Sequence, residues 1–587
     1  MSNTRNLSNL LDSNGDVKVT HLDNVPAPTK ATIEGLAIDL PAANLTGTIA
    51  DARFPATLPA ISGANLTNLP PGGATSLGGL SDATTTATSN IGLGSGAVDS
   101  ITTGDYNVGL GDNALTANTT GANNTAVGYG ANQSNTTGTQ NTAFGRGAGA
   151  NNTTASYNVC IGDWAGNGTT TGASNIAMGA SAFESNTTGY NNTALGRSAL
   201  RANTDKHDNV AVGNGSLFTS NSKFNTAVGS DSLRLLSTGE VNTAVGYKAL
   251  YSNTASNNTA VGAYAATSLT SAIGTTAIGY GTMWNTTTGS YNTTLGYETL
   301  KLNTTGERNI AVGWSALINN STGYRNTVVG MQSMNNNSTG HNNTAVGHQS
   351  LYSNTTGNGR NVAVGGGAMY TNTTGYQNTA VGQDAMRANT TGYMNTAVGQ
   401  AAFDANTTGI ENTSTGYASG SANTSASYNT FNGAYAGNVN TTGANNVFVG
   451  ASSGRFNTTG IYNSAVGTES FKMNTTGTRN AAVGEGALYS NTTGSYNVAM
   501  GKDALKYNTT GGENTAAGYS ASFHCTSGHN NVSVGREAMY SSTTGTYNTA
   551  VGAQAFRQNT TGGYNTVIGR HAMYNNTTGS DNTAVGA

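Results

Sequence analysis

Charge is what this 587-residue chain has least of. Asp, Glu, Lys and Arg together supply 9% of its residues, where an ordinary soluble domain carries roughly a quarter. The net charge is −3, and the 24 Lys and Arg residues are spread thinly. No basic surface able to hold a phosphate backbone can be built from them, which excludes a nucleic-acid partner. Cysteine occurs only as Cys160 and Cys525. In a linear array these two cannot meet, so no disulfide framework is expected. Proline occurs seven times, always between Pro26 and Pro71, and nothing of that kind punctuates the rest of the chain. No apolar run suits a membrane-spanning helix. The stretch Met1–Asp12 also lacks the apolar core of a secretory signal. The expectation is synthesis in a cytoplasm, release by lysis, and no membrane insertion.

Glycine, by contrast, supplies 81 residues, and its placement is periodic. The pentad Asn-Thr-Ala-Val-Gly and its variants recur 30 times between Asn90 and Ala587, at steps of 17 residues with three departures of one residue. A period this regular makes each repeat one structural unit stacked on the next. Numbering the unit from its Asn, position 5 is Gly in every copy, position 4 is usually apolar, and position 3 is usually Ala. Position 8 is Ala, Ser or Thr, and position 9 is often large and apolar, as at Leu200, Met283 and Phe403. Positions 12 to 15 often read Asn-Thr-Thr-Gly, as at Asn186–Gly189. The repeat is represented by Asn124, Val127 and Gly128 in one copy and by Asn378, Val381 and Gly382 in another.

Seventeen residues suit two short strands and two turns. The unit therefore reads as one coil of an all-β, parallel β-solenoid of about thirty coils. Helical repeats are excluded by the wealth of Gly, Thr and Asn. In a strand, positions 2 and 4 share one face and position 3 takes the other. The apolar character of position 4 predicts that Val127, Val381 and Val398 point inward. A second strand is expected over positions 8 and 9. The position-5 glycine is expected to supply positive φ or a close contact. The stacked asparagines at position 1 are expected to form a hydrogen-bonded ladder. The Asn of Asn-Thr-Thr matches a glycosylation sequon but reads as a turn residue. A core this thin, flanked by small residues at positions 3 and 8, favours a homotrimer of intertwined or laterally packed solenoids, with a single-chain solenoid as the alternative.

The pentads Asn124–Gly128, Asn175–Gly179 and Asn209–Gly213 resemble the head repeats of trimeric autotransporter adhesins. The resemblance implies a left-handed parallel β-roll packed as a trimer. That family's signal peptide and membrane anchor have no counterpart in this sequence, which argues against an autotransporter. The proline-bearing stretch Ala43–Leu69, with its Leu-Thr-Gly and Leu-Pro-x-Ile-x-Gly phrases, resembles stalk segments of bacteriophage tail fibres. That resemblance implies a virion protein with residues 1–35 as the attachment segment, 36–71 as an extended stalk, 72–89 as a linker and 90–587 as the repeat fibre. The implied partners are further copies of the chain, a virion tail or capsid protein at the N-terminal end, and a host surface glycan or protein. The sequence stops inside its motif, one residue after Gly586, from which the expectation is a separate tip protein on that end, or else a removed C-terminal chaperone piece or end-to-end stacking into a longer filament. The alternatives are a bacterial surface adhesin or filament subunit, and a glycan-degrading tailspike.

No catalytic, cofactor or metal constellation emerges. Glu469 and Asp503 share position 7 two coils apart and read as solvated carboxylates. The seven histidines, His341 and His348 among them, read as surface residues. Tyrosines gather at position 10, including Tyr251, Tyr352, Tyr370 and Tyr489. These four are the expected glycan contacts, set against a plainer reading in which the rings pack between coils.

Overall fold

A computed structural model describes residues 89–356 and 359–587, all within the second of two units, residues 78–587. The assigned segments 1–35, 36–71 and 72–89 lie outside the described residues, apart from Ser89. Among the described residues there is no helix. Thirty strands of three residues, from Ile91–Leu93 to Thr583–Val585, form one sheet. Each strand pairs in parallel with the next coil's strand, like position on like: Thr125 on Thr142, Ala126 on Ala143, Val127 on Phe144. The expected parallel solenoid is therefore present, one strand per coil at positions 2 to 4.

The inward face is the reverse of the one expected. Ala126, Ala380 and their equivalents at position 3 are completely buried. Val127 and Val381 at position 4 lie on the outer face and are half-buried, and Val398 is 37% exposed. The reason is volume. The interior of one coil already holds position 8, the large position-9 side chain and two asparagines, so in most coils a methyl-sized group fills the strand's inner face. The small residues at positions 3 and 8 are thus the lining of the coil. They do not provide the surface for lateral packing that the sequence suggested.

Exchanges of volume between positions 3 and 9 confirm the geometry. Position 9 is glycine in five coils: at Gly437 and Gly454 position 3 becomes Phe431 and Phe448, while the coils of Gly149, Gly166 and Gly420 carry Ala143, Cys160 and Ser414 there. A Cβ at Gly437 would lie 2.6 Å from the Phe431 ring, and one at Gly454 would lie 2.5 Å from Phe448. Polar residues inside the coil pair with one another, as Ser522 Oγ does with Ser533 Oγ at 2.8 Å.

Positions 6 to 11 do not form the expected second strand. Positions 7, 9 and 17 lie in the left-handed region without being glycine in most coils: Asp384, Met386 and Met394 have φ of 56°, 51° and 57°. Such residues cost about 1–2 kcal/mol each, so the neighbouring coils must hold them. They do so through the backbone. Asp384 N–H donates to Gly366 O of the preceding coil (2.9 Å), and Met386 and Ala388 N–H donate to Ala402 O (3.0 Å) and Asp404 O (2.8 Å) of the next. The amides of positions 7, 9 and 11 thus reach neighbouring coils, those of positions 8 and 10 close turns within the coil (Ala385 N–H to Gly382 O at 3.2 Å, Arg387 N–H to Asp384 O at 3.3 Å), and stacking is maintained without β conformation.

Two asparagine ladders run through the interior. Asn378 N–H and Nδ2 both donate to Asn361 Oδ1 (3.0 and 3.3 Å), and Nδ2 also donates to Gly392 O (2.8 Å). Asn389, the sequon residue at position 12, donates to Asn372 Oδ1 (2.8 Å) and to the same Gly392 O (3.0 Å). Both asparagines are fully buried, so the turn reading holds. The position-5 glycines have φ between 123° and 141°, and a Cβ at Gly382 would meet the Gly399 carbonyl at 2.4 Å. Positive φ and close approach are therefore both required there.

The position-1 ladder is interrupted where Thr275 replaces Asn, and the buried Thr275 Oγ1 has no partner. Thr275→Asn should restore the chain of amides and stabilise the coil by about 1 kcal/mol, seen as slower amide exchange at Asn292. The face assignment is checked by neighbouring residues. Ala380→Asp should cost several kcal/mol by burying an unpaired charge, with exchange across Thr379–Val381 accelerated. Val381→Asp should leave the coil closed and its far-UV spectrum unchanged.

Candidate interaction surfaces

The coil geometry sorts every exposed side chain into a row parallel to the solenoid axis. The broadest surface is the outer face of the sheet. Its rows are position 2, mostly Thr with Val and Ile such as Ile176, Val210 and Ile310, and position 4, mostly apolar and exposed at Leu195, Met500 and Ile568. Thirty strands about 4.8 Å apart, each about 10 Å long, make a face of roughly 140 by 10 Å, or about 1,400 Å². The mostly apolar position-4 row takes about half of this face, roughly 700 Å² in all, against the roughly 300–600 Å² of the largest apolar patches on monomeric proteins. The sequence carried this signal as the apolar residue at position 4, which was read as core.

Position 10 forms a second row, flanked by position 7. The four tyrosines expected to contact glycans all lie on it and are half-buried. Tyr352 and Tyr370 come together, with ring centroids 5.0 Å apart and planes within 4°. Tyr251 and Tyr489 lie several coils away on either side. Their ring faces are engaged by cations: Arg387 of the next coil lies over Tyr370, Lys248 of the same coil over Tyr251 and Lys472 of the preceding coil over Tyr489, at 5.8, 5.6 and 5.2 Å. The rings thus take part in packing within and between coils.

Position 7 supplies carboxylates to the bases of position 10. Glu469 pairs with Lys472 (2.6 Å) and Asp503 with Lys506 (2.9 Å), which hold both ammonium groups above the usual lysine range. The two carboxylates read as solvated are thus each paired with a lysine on their own coil. These exposed pairs add little stability.

A third row, at the corner of position 16, stacks aromatic on aromatic or on histidine: Tyr190 on His207 (4.7 Å), Tyr324 on His341 (4.6 Å) and Tyr376 on Tyr393 (4.8 Å). His341 is therefore a member of a stacked ladder. Among the described residues, no three His, Cys, Asp or Glu side chains converge as metal ligands.

Cys160 occupies position 3 and Cys525 position 12, both buried and unbridged. Burial pushes each thiol up to about 12, above the roughly 8.5 of an unfolded thiol. The folded state therefore favours the protonated form. Its contribution to stability is complete below about pH 8.5 and is lost as the pH rises toward 12. Iodoacetamide at pH 8.5 should leave the native protein unmodified and add two carbamidomethyl groups once the chain is denatured, as read by intact mass. No protein-family model matches this chain, and no curated protein is detectably similar to it.

Proposed function

We propose that the chain is the structural fibre protein of a phage virion, anchored through its N-terminal region and projecting the solenoid outward for host adsorption. The observation that carries this reading is the combination of thirty in-register coils, with no insertion larger than one residue, and a sheet face whose position-4 row is apolar in every coil but two, at Thr415 and Asn432. An uninterrupted ladder of this kind serves reach and stiffness. It offers no wall-forming loops of the sort that enclose a reaction centre.

The apolar face also gives the homotrimer a different physical basis from the small residues first considered. A stable interface uses about 800 Å² per partner, and this face offers more. Its rows repeat with the coil spacing, so the surface that matches it in register along the full length is another copy of the same sheet. Three chains around an axis parallel to their own would each turn positions 2 and 4 inward and leave positions 7, 10 and 16 outside for a host glycan or protein. A tip protein seated on the C-terminal coil fits the same arrangement.

Sedimentation should give three times the 59.2 kDa chain mass. Val381→Lys combined with Val398→Lys, two charges on the sheet face, should reduce this to the monomer while the far-UV spectrum is kept. A stable wild-type monomer at micromolar concentration would remove the trimer. Gold label on an N-terminal tag should appear where the fibre joins intact particles. Label confined to the cell envelope would overturn the virion assignment.

A further inference from the structure

The side-chain layer over positions 6, 7 and 10 is broken at one coil. Gly365 is the position-5 glycine of the repeat, and Gly366 and Gly367 follow it, making this the only coil with glycine at both positions 6 and 7. The result is a notch of about 380 Å³. His348 and Gln349 form one wall, from the preceding coil. Gln383, Asp384 and Arg387 form the other, from the following coil, and Tyr370 closes the side. With coils about 4.8 Å apart, the walls stand roughly 10 Å from each other.

Gly366 has no backbone reason to be glycine. Its φ lies outside the left-handed region, and a Cβ added there would meet nothing within 4 Å. Other coils place Tyr247, Tyr280 and Tyr297 at this position. What the glycine supplies is space, and the groups around that space are held in place. Gln349 Nε2 donates to Gln332 Oε1 at 2.9 Å, and Gln383 Nε2 donates to Asp384 Oδ2 at 3.3 Å. Arg387 pairs with Asp384 at 3.5 Å, and Tyr370 is fixed by its stack on Tyr352.

The character of the walls selects the ligand. A carboxylate, two carboxamides, an imidazole and a phenol offer donors and acceptors side by side. Arg387 is already paired with Asp384, which disfavours a phosphate group needing unpaired cations. The walls are too polar for an apolar ligand. We propose that this notch binds one pyranose ring of a glycan, with Asp384 and the two glutamines bonded to its hydroxyls and the edge of Tyr370 against its ring. The proposal takes from the adsorption reading only the class of target, and it places the contact in the gap beside Tyr370 rather than on the tyrosine faces.

The test is saturation-transfer NMR on the full chain with the methyl glycosides of glucose, galactose, mannose and N-acetylglucosamine. At least one should show transfer, with a Kd on the order of 1 mM, as suits a single ring in a shallow site. Gly366→Tyr fills the notch with a residue that neighbouring coils accept, and should weaken binding at least tenfold with the far-UV spectrum and melting unchanged. Asp384→Asn should weaken it as well. Absence of transfer from all four glycosides, or binding that survives Gly366→Tyr, overturns the notch. Binding that survives Gly366→Tyr but falls with Tyr489→Ala leaves a glycan-binding fibre with its contacts elsewhere. Binding lost in Gly366→Tyr, in a protein whose N-terminus is absent from virions, upholds the notch and removes the virion reading.

Discussion

Registry between successive coils is the constraint on which everything else depends. Each coil bonds to its neighbours through its strand, through the alternating-handed segment at positions 6 to 11 and through both asparagine ladders. None of these sets of bonds survives a relative slip. Asn378 can donate to Asn361 Oδ1 only while the two coils stand in line, and its bond to Gly392 O ties the start of its own coil to that coil's last corner. The close approach of Gly382 to Gly399 sets the same alignment at the other corner. Registry also supports the left-handed, non-glycine residues, which a free chain would avoid. The unit of stability is the coil pair.

The solenoid was legible in the sequence because its requirements are positional. The position-5 glycine, the small position 3 and the Asn-Thr-Thr-Gly corner each answer to a contact repeated in every coil. The inner and outer faces of the strand were harder to read. Val381 beside Ala380 looks like a core residue beside a spacer, because burial normally favours the larger apolar group. The exchange of Phe431 with Gly437 and of Phe448 with Gly454 was the available signal, since only residues sharing one interior compensate for each other's volume. Positions 6 to 11 were misread for a different reason. Leu and Phe at position 9 favour a strand locally, and the left-handed conformation is imposed by stacking, which no single repeat reveals.

The exposed rows had mixed legibility. The tyrosines of position 10 were found by their period, but the fate of their faces depended on Lys248, Arg387 and Lys472, which lie on the same or adjacent coils and become partners only once the coils are stacked. The notch was invisible in a sequence holding 81 glycines. Among the described glycines, Gly366 combines an ordinary φ with open space where a Cβ would stand, and that is apparent only when its φ and surroundings are known.

The stacking direction has a mechanical consequence. The bonds between coils lie nearly parallel to the solenoid axis, so tension along that axis pulls directly on them and loads the terminal pair first. Each coil released would add the contour length of 17 residues, roughly 55–60 Å when fully extended, in place of a single inter-coil step. Under a sharp pull such a column yields one turn at a time, lengthening about tenfold over each yielding turn and dissipating work as it goes. The turns still stacked remain a template on which the released ones can rewind when the load falls.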